Sequence, residues 1–270
     1  MVSPINNQSF ITIIIPAYNE EKRISNTLNH YLKYYNQHYP ENHEILVILN
    51  GCKDKTESKV QFFQAQNPSL QYHVFPEAIG KGGAIKEGLK LAKGELVAFT
   101  DADNSTRPEI LHRLFAIIDL VPSVDCAVGS RRLKGSIVTK KTKARSLISF
   151  GFNLGVNTLF GLGIRDTQCG AKVVRKKFIP DLLPKLTVSN MAFDVNFLVD
   201  IKSIGGKILE IPIEWEDTED STIKKPFKTS VAMAFSVLRL RVVYSPFKFM
   251  MPILEPVGRV MLKALTGKSK

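Results

Sequence analysis

The chain has 270 residues, 44% of them hydrophobic, so it can bury a substantial core and lies near the upper size limit for one domain. Its 37 Lys and Arg residues against 25 Asp and Glu give a formal net charge of +12, which points to an anionic partner such as nucleic acid, a phosphate-rich substrate or acidic lipid. Three cysteines without metal-finger spacing exclude a disulfide framework and favour reduced thiols in the cytoplasm.

The start of the chain and its apolar stretches bear on targeting. Residues 1–10 lack the basic start and apolar run of a signal peptide, and no later stretch reaches the roughly 18 consecutive apolar residues that a membrane-spanning helix needs. We therefore expect a cytoplasmic protein without a transmembrane helix, which leaves room for peripheral binding to the cytoplasmic face of a membrane.

Strand and helix patterns alternate through the first half of the chain. Apolar, β-branched runs predict strands at residues 11–15, 44–49, 71–75 and 95–100. After them, the helical spacing of apolar residues predicts helices at residues 20–35, 55–66, 81–93 and 108–120. Continuous apolar strands separated by helices predict an α/β fold, with a mostly parallel sheet that helices cover on both faces.

The alternation breaks down after residues 126–129. Residues 131–143 are polar and basic, which predicts a loop. Beyond it we expect helices at 144–162 and 193–204 and strands at 171–174 and 207–213. The sequence thus predicts a catalytic domain over residues 1–217 and a separate C-terminal segment over residues 218–270.

The C-terminal segment is apolar and basic at once, which predicts amphipathic helices. Such helices suit a membrane interface, with lysines and arginines at anionic headgroups. They equally suit packing on the catalytic domain or against a second subunit. The sequence therefore leaves both a membrane surface and a homo-oligomer open.

Two carboxylates directly follow the fourth predicted strand. In an open α/β sheet the ligand lies beyond the carboxyl ends of the strands, and Asp101 and Asp103 project there, one residue apart. Hard oxygen ligands of this kind suit Mg²⁺ or Mn²⁺, which a diphosphate donor needs to neutralise the charge that develops as it leaves. The alternative is a solvated turn in which Asp103 caps the next helix.

A glycine-rich turn opens the third predicted helix. Residues 80–84 (GKGGA) place free backbone N–H groups and Lys81 at a helix N-terminus, where an anion is favoured. Their spacing matches neither the P-loop of ATPases nor the dinucleotide-binding fingerprint of dehydrogenases. The alternative is a simple turn with its lysine in solvent.

A series of short motifs resembles, in order and spacing, the inverting glycosyltransferases of family 2, which have the GT-A fold. These motifs are IPAYNEE (15–21), NGCKD (50–54), GKGGA (80–84), DAD (101–103) and GSR (129–131). Three more, RDTQCGAK (165–172), FDV (193–195) and IPIEW (211–215), resemble the dolichyl-phosphate (polyprenyl-phosphate) β-glucosyltransferase branch. The resemblance implies a metal-dependent enzyme that moves a sugar from a nucleotide-diphosphate donor.

The resemblance also implies roles for individual residues. The nucleotide of the donor would be surrounded by Pro16, Ala17, Tyr18, Glu20, Asn50 and Asp54. The rest of the donor would be held by Lys81, by Asp101 and by a Mg²⁺ or Mn²⁺ ion on Asp103. The acceptor phosphate would meet Arg131, with Arg145 in the next helix as a second candidate.

Two features depart from the family pattern. Leu49 and Asn50 stand where relatives commonly carry paired aspartates, which leaves the nucleotide open. Ser105 stands where mannosyl-transferring relatives carry an amide, so the resemblance implies a glucosyl donor, UDP-glucose, more than a mannosyl one.

The acceptor decides whether a general base is needed. A lipid phosphate is already negative and can attack the anomeric carbon itself, whereas a hydroxyl must lose a proton. For a soluble or protein-linked hydroxyl acceptor, the candidate base is Asp194 or Asp166, and Asp194 has the alternative role of capping a helix.

We expect transfer from UDP-glucose to a polyprenyl phosphate, with Asp101, Asp103, Arg131 and Asp194 as the catalytic set. The alternative from another class is a basic nucleic-acid-binding module. That alternative predicts exposed aromatics among the basic residues or a known reading motif, and neither is evident.

Overall fold

The computed structural model of the chain describes residues 9–139, 143–216 and 226–250, and within them all side chains except those of 143–147, 226–228, 247 and 250. The strands are β1 (Ile11–Ala17), β2 (His43–Asn50), β3 (Leu70–Phe75), β4 (Leu96–Phe99), β5 (Cys126–Ser130), β6 (Ile137–Thr139), β7 (Lys172–Arg175), β8 (Ile208–Pro212) and β9 (Glu214–Glu216). The helices are α1 (Ile24–His38), α2 (Thr56–Gln64), α3 (Gly80–Leu91), α4 (Pro108–Leu120), α5 (Lys143–Phe160), α6 (Ile179–Leu182), α7 (Phe193–Ser203) and α8 (Pro226–Val243). Short 3₁₀ turns lie at Lys176–Phe178 and Pro246–Met250.

Seven strands form one sheet in the order β3-β2-β1-β4-β7-β5-β8. All neighbouring pairs are parallel except those of β7, which runs antiparallel to both β4 and β5. The predicted α/β fold with a mostly parallel sheet is therefore confirmed. The antiparallel direction of β7 is an addition that the apolar pattern of residues 171–174 did not indicate.

The isoleucine run of β1 explains why the strand pattern is continuous rather than alternating. Ile13 and Ile15 pack into the core on one face of the sheet, and Ile14 packs into the core on the other face. Because helices cover both faces, every residue from Ile11 to Ile15 is buried, and the four isoleucines among them are stabilised on whichever face they lie. The carboxyl ends of β1, β2 and β4 then meet at one edge, where the polar loops lie.

The expected loop at residues 131–143 was wrong in part. It contains β6, which pairs in parallel with β9 to form a separate two-stranded sheet, with Ile137 opposite Glu214. A three-residue strand whose partner comes much later in the chain leaves little local pattern, because its stability depends on that distant pairing.

The helix α8 packs on the α/β domain. Its buried residues Val237 and Leu240 join the apolar core that includes α7. Two hydrogen bonds add to this contact: Tyr244 donates its hydroxyl to Asp200 of α7, and Asn190 donates its side-chain nitrogen to Ser236 Oγ at 2.8 Å. The boundary placed at residue 217 and the apolar residues 251–270 lie outside the described residues.

Among the helices that the structure describes, none combines the length and the apolar character needed to cross a bilayer.

Asp200 gives the α7–α8 contact a pH dependence. Burial raises the pKa of Asp200 to about 7, so the folded protein keeps a proton on this carboxyl that the unfolded chain releases near pH 4. As pH rises from about 4 through 7, the unfolded state therefore binds fewer protons than the native state at this group, and folding loses stability. Above that window the loss is complete.

We expect Asp200→Asn to remove this loss. Relative to the wild type, the variant should gain a few kcal/mol in free energy of unfolding between pH 5 and pH 8, since each pKa unit corresponds to about 1.4 kcal/mol. Urea unfolding at several pH values measures the difference. Asp181→Asn, which changes an exposed aspartate on α6, is the control and should show no such trend. Parallel pH profiles for wild type and Asp200→Asn would contradict the assignment.

Candidate active site

The loops after the parallel strands converge at the carboxyl edge of the sheet, as the alternating pattern predicts. Asn50, the last residue of β2, accepts a hydrogen bond on its side-chain oxygen from the backbone N–H of Ile79 at 2.7 Å, just before α3. Thr27 of α1 donates to the carbonyl of Ala102, between the two aspartates, at 2.7 Å. The first bond ties the end of β2 to the loop after β3, and the second ties α1 to the loop after β4.

The residues expected around a nucleotide divide into exposed and bracing groups. Ala17 is buried at the end of β1, whereas the ring of Tyr18 is 47% exposed and offers a flat surface. Asp54 braces two loops, because it accepts from the backbone N–H groups of Glu21 and Thr56, both at 3.0 Å. Burial raises the pKa of Asp54, but these hydrogen bonds outweigh burial and leave the pKa below its ordinary value.

Arg23 connects Glu20, in the loop after β1, with Asp103, in the loop after β4. Arg23 donates Nε to Glu20 Oε2 at 2.7 Å, and its Nη1 lies 4.0 Å from Asp103 Oδ2. Burial raises the pKa of Glu20 even though Arg23 opposes the shift. Arg23 therefore contributes a positive charge that the sequence analysis did not single out, four residues before the buried Thr27.

Asp103 caps a turn and also lies at the rim of the site. Its Oδ1 accepts from the backbone N–H of Ser105 at 3.0 Å, so it caps the turn that precedes α4. The helix itself begins after Arg107, so this is a turn cap and not the N-cap of α4. The second oxygen points towards Arg23, and the side chain is a quarter exposed at the rim. The carboxylate of Asp103 is thus accessible at the rim of the site.

Asp101 follows β4, and its carboxylate is contacted by Lys81 and Gly170. Its Oδ1 lies 2.7 Å from Lys81 Nζ, and its Oδ2 lies so close to Gly170 that any Cβ there would overlap it. Burial raises the pKa of Asp101, but the charge and hydrogen bond of Lys81 outweigh burial and lower the pKa. The carboxylate is therefore ionised and its orientation is fixed from two sides.

The glycine-rich turn holds Lys81 inside the site. Gly80 has φ +81°, a conformation that glycine adopts without strain, and Gly82 donates its backbone N–H to the carbonyl of Ser189 at 2.8 Å. Lys81 Nζ contacts Asp101 and lies 3.5 Å from Asp194 Oδ2. Burial lowers the pKa of Lys81, but the two carboxylates outweigh it and raise the pKa. The alternative of a lysine in solvent does not hold.

Lys172 is a site residue that the sequence analysis missed. It lies on β7 in the middle of the sheet, fully buried, with its Nζ 2.6 Å from Asp194 Oδ1. The signal that could have found it is a single lysine inside the otherwise apolar strand 171–174, because an unpaired lysine is rarely buried.

Arg131 is held in place by Asp166 and Trp215. It donates Nε and Nη2 to the two oxygens of Asp166 at 2.7 and 2.9 Å, and its guanidinium lies over the ring of Trp215, 5.1 Å from the centroid. Burial raises the pKa of Asp166, but the bonds and charge of Arg131 outweigh it and lower the pKa. Nη1 of Arg131 lies outside this two-pronged pair.

Both carboxylates proposed as bases are engaged by cations. Asp166 is bound by Arg131, and Asp194 by Lys172 with Lys81 nearby. Asp194 lies in the first turn of α7, whose N-cap is Ala192, so its carboxylate contacts lysines and does not serve as the cap. Arg145 lies in α5, and its side chain is outside the described residues.

Within the described ranges, no group of three or more His, Cys, Asp or Glu side chains could hold a metal ion alone. An ion at Asp103 would therefore need further ligands from a bound substrate and from water. Mg²⁺ commonly binds in this way, through one or two carboxylates and the phosphates of its substrate. The chemistry of the donor set fits such an ion.

Comparison with known proteins identifies the family. Residues 12–183 match the family described as Glycosyl transferase family 2. The chain is 30% identical over 252 residues to a dolichyl-phosphate beta-glucosyltransferase of Dictyostelium discoideum, which covers 90% of this chain and 76% of the relative. It is 31% identical over 246 residues to the protein of that name in Homo sapiens, covering 87% and 75% of the two chains.

Solved structures show the same fold at much lower identity. Glucosyl-3-phosphoglycerate synthase from Mycobacterium tuberculosis, in complex with Mn²⁺, UDP and glucosyl-3-phosphoglycerate, superposes with a TM-score of 0.63 at 16% identity over 85% of this chain and 80% of that one. Mannosyl-3-phosphoglycerate synthase from Rubrobacter xylanophilus superposes with a TM-score of 0.63 at 16% identity over 89% and 79%. These neighbours confirm the expected GT-A fold.

The family match spans more than half of the chain, and named relatives align along most of it. The chain therefore belongs to glycosyl transferase family 2 and is a glycosyltransferase.

Proposed function

We propose that this enzyme transfers a glucosyl group from UDP-glucose to a polyprenyl phosphate such as dolichyl phosphate, with inversion at the anomeric carbon. The names of the aligned relatives support this substrate pair. The observation that carries the proposal is the state of the carboxylates around the site. Asp101, Asp166 and Asp194 are each paired with a lysine or arginine, so the site presents cations to its substrates and none of these three carboxylates is poised as a base.

The donor binds at the loops after β1, β2 and β4. We assign the base to the exposed ring of Tyr18, which follows Pro16 and Ala17 at the end of β1, with Glu20, Asn50 and Asp54 bracing the loops. The diphosphate lies near Lys81, because this lysine stays protonated and sits at the N-terminus of α3, where backbone N–H groups also favour an anion. A protein with the same fold was crystallised with UDP, which supports a UDP-linked donor.

A divalent ion, Mg²⁺ or Mn²⁺, binds Asp103, with Asp101 beside it. When bound, the ion neutralises the negative charge that develops on the departing diphosphate. The chain's own part is to orient Asp103 through its bond to Ser105 and to hold Asp101 against Lys81. Mn²⁺ in complexes of the solved neighbour supports the choice of ion.

The acceptor phosphate needs little help to react. One of its oxygens forms the new bond to the anomeric carbon from the face opposite the diphosphate, and the electrons of the breaking bond leave with the diphosphate as UDP. No proton has to be removed, since the phosphate is already ionised near neutral pH. The protein mainly brings two anions together and offsets their repulsion with fixed positive charge.

Arg131 is the residue that receives the acceptor phosphate. Asp166 holds its guanidinium in place through Nε and Nη2, which leaves Nη1 outside the pair for a further contact. An arginine fixed in this way loses little conformational entropy when it binds a phosphate oxygen. Arg145 remains the second candidate, since it lies on α5 in the chain segment that follows.

The surface next to Arg131 suits a lipid. In the described part of α5 from residue 148, the outward positions carry no charge; they are Ile148, Phe150, Gly151, Leu154, Gly155 and Thr158. Arg132 joins this face to the acceptor loop, because it donates to Ser149 Oγ at 2.8 Å and lies over the ring of Phe150. An uncharged helix face on a chain of net charge +12 supports contact with a membrane that carries the lipid acceptor.

A hydroxyl acceptor is the second candidate. It would require Asp194 or Asp166 to act as the base. Lys172 Nζ already occupies Asp194 Oδ1 at 2.6 Å, and the positive charge of Arg131 beside Asp166 stabilises the ionised form of Asp166. The lowered pKa of Asp166 makes it a weak base.

A donor and acceptor matrix tests the function. We expect sugar transfer from UDP-glucose to dolichyl phosphate with Mg²⁺ or Mn²⁺ present, and its loss when EDTA removes the ion. Dolichol, the same lipid with a hydroxyl in place of the phosphate, is the matched control and should accept no sugar; GDP-mannose controls for the donor. Radiolabelled lipid product measures transfer. Equal transfer to dolichol would favour the hydroxyl acceptor and overturn the proposal.

We expect Asp103→Asn to weaken UDP binding in the presence of Mn²⁺ by more than about tenfold, since a charged ligand of the ion is lost. The amide oxygen can still cap Ser105, so the fold should be retained. Titration of UDP with and without Mn²⁺ measures the effect. Mn²⁺ should strengthen UDP binding to the wild type but not to Asp103→Asn. Glu109→Gln, which removes an exposed charge at the start of α4, is the control. Undiminished Mn²⁺ stimulation in Asp103→Asn would place the ion elsewhere.

We expect Arg131→Lys to raise the KM for dolichyl phosphate about tenfold and to leave UDP affinity within about twofold, because lysine keeps the charge beside Asp166 but loses the fork that binds two anions at once. Initial-rate kinetics and UDP titration separate the two effects. Arg113→Lys is the control, as Arg113 lies on α4 and donates to the carbonyl of Pro212. Equal losses for donor and acceptor would place Arg131 at the donor instead.

A further inference from the structure

Lys172 lies where a lysine is costly. It is 0% exposed in the central strand β7, and its neighbours across the sheet are Phe99 of β4 and Val128 of β5. Its Nζ contacts Asp194 Oδ1 and the carbonyl of Cys169 and lies 5.6 Å from the centre of the Phe99 ring. A methionine of similar length would fill this space without the cost of removing a charge from water. Packing alone therefore does not account for Lys172.

Lys172 is the inner end of a row of alternating charges that reaches the substrate side. The row runs Lys172, Asp194, Lys81, Asp101, with gaps of 2.6, 3.5 and 2.7 Å between successive charged atoms. Side-chain exposure rises along it, from 0% at Lys172 and 2% at Asp194 to 16% at Lys81 and 35% at Asp101. A buried charge at one end is thereby connected to the rim where a diphosphate would bind.

The unequal gaps indicate a competition between two lysines for Asp194. Lys172 occupies Oδ1 at 2.6 Å, whereas Lys81 stays 3.5 Å from Oδ2 and makes its short contact with Asp101. Without Lys172, Asp194 would be a buried carboxylate whose nearest cation in the row is Lys81. An uncompensated buried charge is expensive, so Lys81 would be drawn inward, away from Asp101 and the rim.

We propose that Lys172 is a positioning residue that keeps Lys81 available to the donor diphosphate by neutralising Asp194. The inference rests on the proposed function, since it takes Lys81 as a ligand of the donor. Lys172 itself touches no substrate. Its effect reaches the donor only through Asp194 and Lys81, and this path gives it a signature that a purely structural lysine would lack.

A double-mutant cycle on UDP affinity tests the proposal, with Mn²⁺ present and the full chain in every case. Lys81→Met should weaken UDP binding about 10- to 100-fold, the usual range for losing one charge-assisted bond. Lys172→Met should weaken it about tenfold by withdrawing Lys81, and the double variant should bind no worse than Lys81→Met alone. Lys86→Met is the matched control, because Lys86 lies on the same helix and bonds only to the carbonyl of Leu186 in the described structure.

Neutralising Asp194 as well supplies the decisive variant. In Lys172→Met with Asp194→Asn, no carboxylate remains to draw Lys81 inward, so UDP affinity should return to within about threefold of wild type. This variant also removes the unpaired buried charge, so it remains informative even where Lys172→Met alone fails to fold; urea unfolding reports the stability of each protein.

The outcomes separate the inference from the function on which it rests. If Lys81→Met binds UDP as wild type does, Lys81 is no donor ligand and the donor site itself is misplaced. If Lys81→Met is impaired but folded Lys172→Met is not, or if the two losses simply add, Lys172 does not position Lys81. Failure of the Lys172→Met, Asp194→Asn variant to regain affinity, although folded, overturns the inference as well.

Discussion

The ion pair between Lys81 and Asp101 is the contact on which the rest of the site depends. It joins the first turn of α3 to the loop that follows β4, next to Gly170. Because Asp101 is enclosed by Lys81 and Gly170, its neighbour Asp103 can project to the rim from a fixed backbone. An isolated exposed pair contributes little, but one that is largely withdrawn from water sets the position of both chains.

The same pair explains the electrostatic character of the site. Asp101, Asp166 and Asp194 each have a cation within hydrogen-bonding distance, and the charges of both Lys81 and Arg131 act on Asp101. A site built in this way cannot readily take up protons, but it can hold anions. The arrangement favours chemistry in which both reaction partners are phosphates, since such partners bring negative charge and need no base.

The sequence predicted the strands and helices where the local pattern of apolar residues reflects the burial of each element. The strands and helices from β1 to α4 could be predicted because both faces of the sheet are covered, and the rim residues followed from the strand ends. The pairing of β6 with β9 and the reversed direction of β7 could not, since both are set by contacts between distant parts of the chain. Lys172 escaped for the same reason: its partner Asp194 lies on a helix that packs against the sheet only in the folded protein.

The contact of α8 with α7 has a consequence for how the two parts of the chain can vary. Asn190, which bonds to Ser236 of α8, directly follows Ser189, whose carbonyl holds Gly82 in the turn beside Lys81. Two hydrogen bonds therefore connect α8 with the glycine-rich turn of residues 80–84 through residues 189 and 190. Tyr244, directly after α8, bonds to Asp200 as well. A different C-terminal helix could not simply replace α8. A replacement would have to bring hydroxyl groups to the same two positions, so α8 and the glycine-rich turn of Lys81 are constrained to change together.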